Sequence, residues 1–242
     1  MDRQLEPARE TSGVKEERMQ VRLGDSMLVV AGGGGISLGS DEPSLMACLM
    51  EPGAVADILD CQLEVALVLV EGIAERGIKA VFGGGDMADK NGPMYSPTVF
   101  RDLMLPRWKV LARQYRELGL HYVWRTDGNI WSVGDMIFDE ADLPGFGEVD
   151  RDATMALGKL RDRFPELVVW MNVSVDLLHS GSRNEVYENR LEILEESCGR
   201  GYLHGASNAV LPNPPPKNFW AMMEALETYN AGRSREVAVG QL

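Results

Sequence analysis

The sequence predicts an α/β fold built on parallel strands. Two patterns carry that prediction. Short apolar runs rich in Val, Ile and aromatics alternate with helical stretches along most of the chain, and almost every run ends in Gly, Asp or Asn. Strands joined through helices and short loops pair in parallel, and about six such units suit either a doubly wound sheet or most of a (β/α)8 barrel.

The elements follow in order. The strands expected most clearly are Met27–Ala31, Ala80–Phe82, Tyr122–Trp124, Val168–Trp170 and Tyr202–His204, with Leu143–Phe146 a weaker candidate. Between them, Ala54–Arg76 places Val55, Ile58, Leu59, Leu63, Leu67, Val70 and Ile73 at helical spacing and stops at Gly77. Ser96-Pro97 is an N-cap with Pro at the first helical position, opening a helix to Gly119 that Pro106 should kink. Ser182-Arg183-Asn184-Glu185 has the capping-box pattern and opens a helix ending at Gly199, and a last helix starts near Asn218. The expected organisation is a helical segment over 1–24, a main domain over 25–230 and a flexible tail over 231–242.

Composition narrows the function. The 242 residues are 45% hydrophobic and 25% charged, enough for a sizeable core. A formal charge of −13 argues against nucleic-acid binding, which needs clustered Lys and Arg. The acidic opening is unlike a signal peptide and no run of eighteen apolar residues occurs, so the expected compartment is the cytoplasm, away from any membrane. Cys48, Cys61 and Cys198 are odd in number and lack a C-x-x-C spacing, so they read as packing thiols. His121, His179 and His204 read as surface or packing residues dispensable for chemistry.

In a parallel barrel the loops after the C-terminal strand ends build the active site. Just past the expected strands come Gly32–Gly35; Gly83–Asp86 and then Asn91; Thr126–Asn129; Glu148 and Asp150; Asn172, Ser174 and Asp176; and Ser207 with Asn208. Helix capping is the competing reading for Asp86, Asp127 and Asp150. Glu148 lies in the apolar segment Phe146–Val149, where an unpaired carboxylate would be desolvated and suited to general-acid work. Its structural alternative is a salt bridge to Arg125 or Arg151. The glycines of Ala31–Gly35 lack dinucleotide spacing and a Walker lysine, and read instead as a close approach of backbone to substrate or to a neighbouring loop.

These residues carry a resemblance. Gly84-Gly85-Asp86-Met87-Ala88-Asp89-Lys90-Asn91-Gly92-Pro93 followed by Ser96-Pro97, then Thr126-Asp127-Gly128-Asn129, then Asn172-Val173-Ser174 with Gly181-Ser182, then Gly205-Ala206-Ser207-Asn208-Ala209, resemble in order four strand-end motifs of the uroporphyrinogen decarboxylase superfamily. That superfamily also holds corrinoid-linked methyltransferases. The resemblance runs from about Asp25 to Leu226 and implies a TIM (β/α)8-type barrel. It begins just before the family's third strand, so the first two strands are expected to be lacking. Together with the reading of the strand ends, it gives Asp86, Asp127 and Glu148 as catalytic candidates, and Gly34, Gly85, Asn91, Arg125, Asn129, Asn172, Ser207 and Asn208 as substrate-binding ones. The family's zinc ligand positions fall on Arg125, Asp127 and Ala206, and Arg and Ala offer no ligand atom, so no zinc is expected there. The position held by His in true decarboxylases falls on Asn208, which cannot shuttle protons near neutral pH.

Three functions stay open at this stage. Asp86, Asp127, Glu148, Asp150 and Asp176 around one mouth would repel a porphyrinogen bearing many carboxylates, which favours methyl transfer to or from a corrinoid over decarboxylation. No Asp-x-His-x-x-Gly corrinoid motif occurs, so the corrinoid is expected on a partner protein. A truncated, non-catalytic fragment or binding partner is the third. An incomplete barrel would expose the edges of its first and last strands, so the chain is expected to associate as a homo-oligomer or with a complementing N-terminal fragment. Size-exclusion chromatography with thermal melting checks this: a monomer with a cooperative, high-temperature melt would refute it.

Overall fold

In a computed structural model, residues 2–208, 210, 212 and 214–239 of the chain are described. The chain divides into two compact units, Met1–Gly147 and Glu148–Leu242. Both alternate parallel strands with helices, the α/β barrel class that the sequence predicts.

In the first unit, α1 (Asp2–Thr11) and α2 (Val14–Leu23) precede β1 (Val30–Gly32). The expected strand began three residues earlier. Instead the Ser26 and Met27 N–H groups donate to the Leu23 carbonyl, closing the turn after α2, and Met27 and Leu28 stand exposed. Then come α3 (Glu42–Met50), capped by the Asp41 carboxylate on the Ser44 N–H, and α4 (Pro52–Glu75). α4 buries Val55, Leu59, Ala66, Val70 and Ile73, a narrower stripe than the spacing suggested, and Ile58 falls outside it at 59% exposure. Arg9 pairs with Glu75, and Arg76 donates to the Ser12 and Glu10 carbonyls, fastening α1 across α4.

Next stand β2 (Ala80–Gly84), a small antiparallel hairpin of β3 (Ala88–Asp89) and β4 (Gly92–Pro93), and a helix that starts as α5 (Pro97–Val99) under the Ser96 cap. The helix widens to π geometry over Phe100–Met104 before α6 (Leu105–Glu117). The cause is Pro106, which has no N–H and whose ring crowds the preceding turn; the Leu105 N–H reaches back five residues to Phe100. β5 (His121–Arg125) and β6 (Gly145–Gly147) complete a parallel order β1-β2-β5-β6, in register Val30↔Ala80, Ala80↔His121 and Val123↔Gly145.

β5 alternates as a two-faced strand must. Tyr122 and Trp124 turn to the helices, where Tyr122 stacks on Tyr115 at 4.3 Å, and Trp124 meets Trp108 edge-on at 5.9 Å and stacks on Phe146 at 5.6 Å. Val123 and Arg125 therefore point to the other face, where Arg125 sits 5.9 Å over the Phe82 ring.

The second unit holds α7 (Leu157–Arg163), β7 (Val168–Trp170), α8 (Val175–Ser180), α9 (Arg183–Glu196), β8 (Tyr202–Leu203) and α10 (Pro216–Val239). β7 and β8 are parallel, Val169↔Tyr202, with a further bridge Val173↔Ala206. The capping box expected at Ser182 is present in both directions: the Ser182 N–H donates to Glu185 at 2.7 Å and the Glu185 N–H to Ser182 at 3.3 Å. The segment read as a tail from 231 is instead helical as far as Val239, and 240–242 lie outside the described residues, as does Ala209 of the last motif.

Trp124 is the centre of the aromatic layer, so Trp124→Ala should cost about 3–5 kcal/mol, read as a lower midpoint in urea unfolding.

Candidate functional site

At the C-terminal strand ends of the first unit, backbone packs on backbone. A Cβ on Gly84 (φ 138°) would strike the Arg125 carbonyl oxygen, and one on Gly128 (φ 83°) the carbonyls of Ala88 and Asp89. The close fit is fixed by hydrogen bonds. The Met87 N–H donates to the buried Thr126 hydroxyl at 3.1 Å, which donates in turn to the Asp127 carbonyl, and the Asn129 N–H donates to the Asp89 carbonyl at 2.7 Å. The hairpin after β2 is thus clipped to the loop after β5, and the clip joins the backbone segments that carry Asp86, just before Met87, and Asp127, just after Thr126.

Asp86 is exposed, and Asp127, Arg125 and Asn129 are half-buried. Neither aspartate caps a helix; the capping reading holds for Asp150, whose carboxylate accepts from the Asp152 N–H at 2.9 Å. Two other candidates build structure. Gly34 is buried against Val70, and its carbonyl accepts from the Tyr115 hydroxyl at 2.5 Å, on the side of the helices. Asn91 donates its N–H to the Asp89 carboxylate at 2.7 Å, closing the hairpin turn together with Gly92 at 3.1 Å. Gly85 stands against Ser37. Asp89 was missed as a turn residue; the Asp-x-Asn-Gly spacing was the available signal. Donation from Asn91, and then Gly92, holds the Asp89 carboxyl below the ordinary aspartate range.

In the second unit Glu148 is half-buried, in left-handed backbone (φ 58°). Met171 and Asn172 also take positive φ, 84° and 97°, values that non-glycine residues rarely hold. Asn172 is wholly buried; its amide donates to the Val149 carbonyl at 3.0 Å and to the Met155 carbonyl at 3.2 Å, pinning the segment after β6 to the end of β7. Ser174 caps α8 and donates to Asp152 at 2.8 Å. The Ser207 N–H donates to the Val173 carbonyl at 2.7 Å, and Asn208 is exposed. Asn172 and Ser174 are therefore loop-builders of this unit.

Zinc does not fit the positions where the family carries it, because Arg125 and Ala206 provide no ligand atom. Among the described residues, no three His, Cys, Asp or Glu side chains stand together as a metal would require, and no helix is long and apolar enough to cross a membrane.

Parallel β/α repeats with polar strand ends define a scaffold of the α/β-barrel type. Residues 33–229 match the family described as uroporphyrinogen decarboxylase (URO-D), and the chain belongs to it. Against curated proteins the sequence has no match. Among solved structures the chain is similar to a methyltransferase from Methanosarcina mazei, with a TM-score of 0.72 and 18% identity over 89% of this chain and 63% of that one. It therefore spans 63% of that methyltransferase's length. It is also similar to a D-tagatose 3-epimerase-like protein, with a TM-score of 0.53 and 14% identity, covering 93% of this chain and 85% of that one. At these identities the likeness is one of fold.

Two measurements test the clip. Thr126→Val leaves the Met87 N–H without its acceptor and should cost about 1–3 kcal/mol in denaturant unfolding, with Thr126→Ser closer to wild type. For Asp89, a carboxyl lowered in the folded state stabilises the hairpin fully above the ordinary aspartate range and loses that contribution as pH falls through its own lowered value. Protection of the Asn91 and Gly92 amides, relative to their intrinsic exchange rates, should fall across that acid window, and Asp89→Ala should abolish that fall.

Proposed function

We propose that the chain is a methyltransferase-like member of the URO-D family acting on a small molecule, with Asp86 and Asp127 positioning or protonating the reacting group and Arg125 and Asn129 orienting it. The observation that carries this reading is the acidic strand end of the first unit. The Met87–Thr126 hydrogen bond joins the segments that carry Asp86 and Asp127, Asp89 of the same hairpin stays ionised, and Arg125 is the cation at the end of β5. A porphyrinogen presents many carboxylates, and unit charges about 4 Å apart repel by about 4 kcal/mol at a protein surface, so such a site disfavours decarboxylation of that substrate.

The fold shared with the Methanosarcina mazei methyltransferase supports the same choice. The methyl-carrying group is then a corrinoid held by a separate partner protein. Carboxylates in this position act by geometry and by proton transfer, contributions worth roughly 10²–10⁴ in rate.

Methylcobalamin and uroporphyrinogen, titrated separately into the full chain and followed by tryptophan fluorescence, separate the two chemistries. Saturable binding is expected for methylcobalamin alone, weakened about tenfold (about 1.4 kcal/mol) in Asp127→Asn with the unfolding midpoint unchanged. Tight uroporphyrinogen binding would overturn the assignment.

A further inference from the structure

A second polar centre lies in the Glu148–Leu242 unit, at the N-terminal end of β8 and on the side covered by α9 and α10. Arg190 of α9 is wholly buried. Its Nη1 donates to the Tyr202 hydroxyl at 2.7 Å and its guanidinium lies 5.0 Å over the Tyr202 ring, while Nε and Nη2 have no partner among the described residues. A buried arginine ordinarily faces a carboxylate, because an uncompensated charge out of water is costly. Here the acid beside Tyr202 is already taken: Glu196 is held by Arg151 through two hydrogen bonds of 2.8 and 3.0 Å.

Beside Tyr202 is a cavity of about 160 Å³ whose polar lining includes Arg200, Tyr202, His204, Tyr229 and Asn230 and, among the described residues, no acidic side chain. Its two tyrosines are set in the same way. Tyr202 accepts from Arg190, and Tyr229 accepts from Arg233 at 3.1 Å with the guanidinium 5.7 Å from its ring. A phenol oxygen that accepts an arginine N–H still has its own hydrogen to donate. Among the described residues the buried His204 ring nitrogens have no partner, and desolvation, helped by the Arg190 charge, pushes the imidazole down to about 3, so it is neutral and offers one more N–H. Ser197 is the exception, since it already donates to the Leu194 carbonyl. In a chain of net charge −13, Arg200 thus lines a pocket of donors whose two tyrosines are each held by a further arginine, Arg190 and Arg233.

We propose that this cavity binds a phosphate-sized oxyanion on the Tyr202 and Tyr229 hydroxyls and Arg200, with the buried charge of Arg190 behind them. The site lies at the N-terminal end of its strand, where barrel residues serve stability rather than chemistry, so its occupant strengthens the α9–β8–α10 packing. The chemistry recognised is a phosphoryl group, either as inorganic phosphate or on a small phosphate monoester.

The test is thermal melting of the full chain with inorganic phosphate, or glycerol 3-phosphate, titrated against chloride at constant ionic strength. A saturable rise in melting temperature with phosphate is expected, because an anion binding only the folded state stabilises it. Arg190→Met is the most direct variant, but it could fail to fold; Tyr202→Phe and Arg200→Gln keep the packing and should each weaken the effect at least fivefold. A stronger effect of the monoester would assign the site to a phosphorylated metabolite, an equal or weaker one to free phosphate. No saturable shift beyond chloride, or the same shift in wild type, Tyr202→Phe and Arg200→Gln, would overturn the proposal.

Discussion

The C-terminal ends of β1, β2 and β5 meet at distances that leave no room for a Cβ, and the first unit's polar cluster depends on that constraint. Gly84 must lie against the Arg125 backbone, and Gly128 against the hairpin, before the Met87 N–H can reach the Thr126 hydroxyl. Since Thr126 is wholly buried, that bond has no water to replace it. The segments that carry Asp86 and Asp127 are therefore joined through Met87 and Thr126 at the strand ends. Groups held in this way need little reorganisation on binding.

The aromatic layer enforces the other half of the arrangement. Tyr122 and Trp124 occupy one face of β5, and their packing against Trp108, Tyr115 and Phe146 fixes the register in which Arg125 emerges on the opposite face. A slip of one residue would bury the guanidinium among the helices and expose an indole. Burial also pushes the Tyr115 and Tyr122 hydroxyls upward, so Tyr115 remains protonated and keeps its donation to the Gly34 carbonyl.

The second unit solves a related problem by other means. Where the first uses glycine to bring segments together, the second accepts positive φ at Glu148, Met171 and Asn172, each costing about 1–3 kcal/mol. The compensation is visible at Asn172, whose buried amide satisfies two carbonyls of the 149–155 segment at once. Strain at the end of β7 is thereby held by the loop it organises.

Periodicity and caps were readable along the chain because they are local. The strand cores, the Ser96 and Ser182 caps, the break at Pro106 and the order of polar strand ends all depend on residues within one or two turns of each other. The family was legible for the same reason, its motifs being short segments in a fixed order. What each polar residue does was not, because that depends on partners far along the chain. Asn91, Gly34 and Asn172 read as ligand contacts, yet their hydrogen bonds go to a turn, to a tyrosine 81 residues away and to carbonyls 17 and 23 residues back. Arg190 drew no notice in a sequence where it is one more charge on an amphipathic helix. Tertiary packing decided its role by setting Tyr202 of β8 against it while the acid beside Tyr202, Glu196, is committed to Arg151, so that among the described residues the buried cation has no anion as partner.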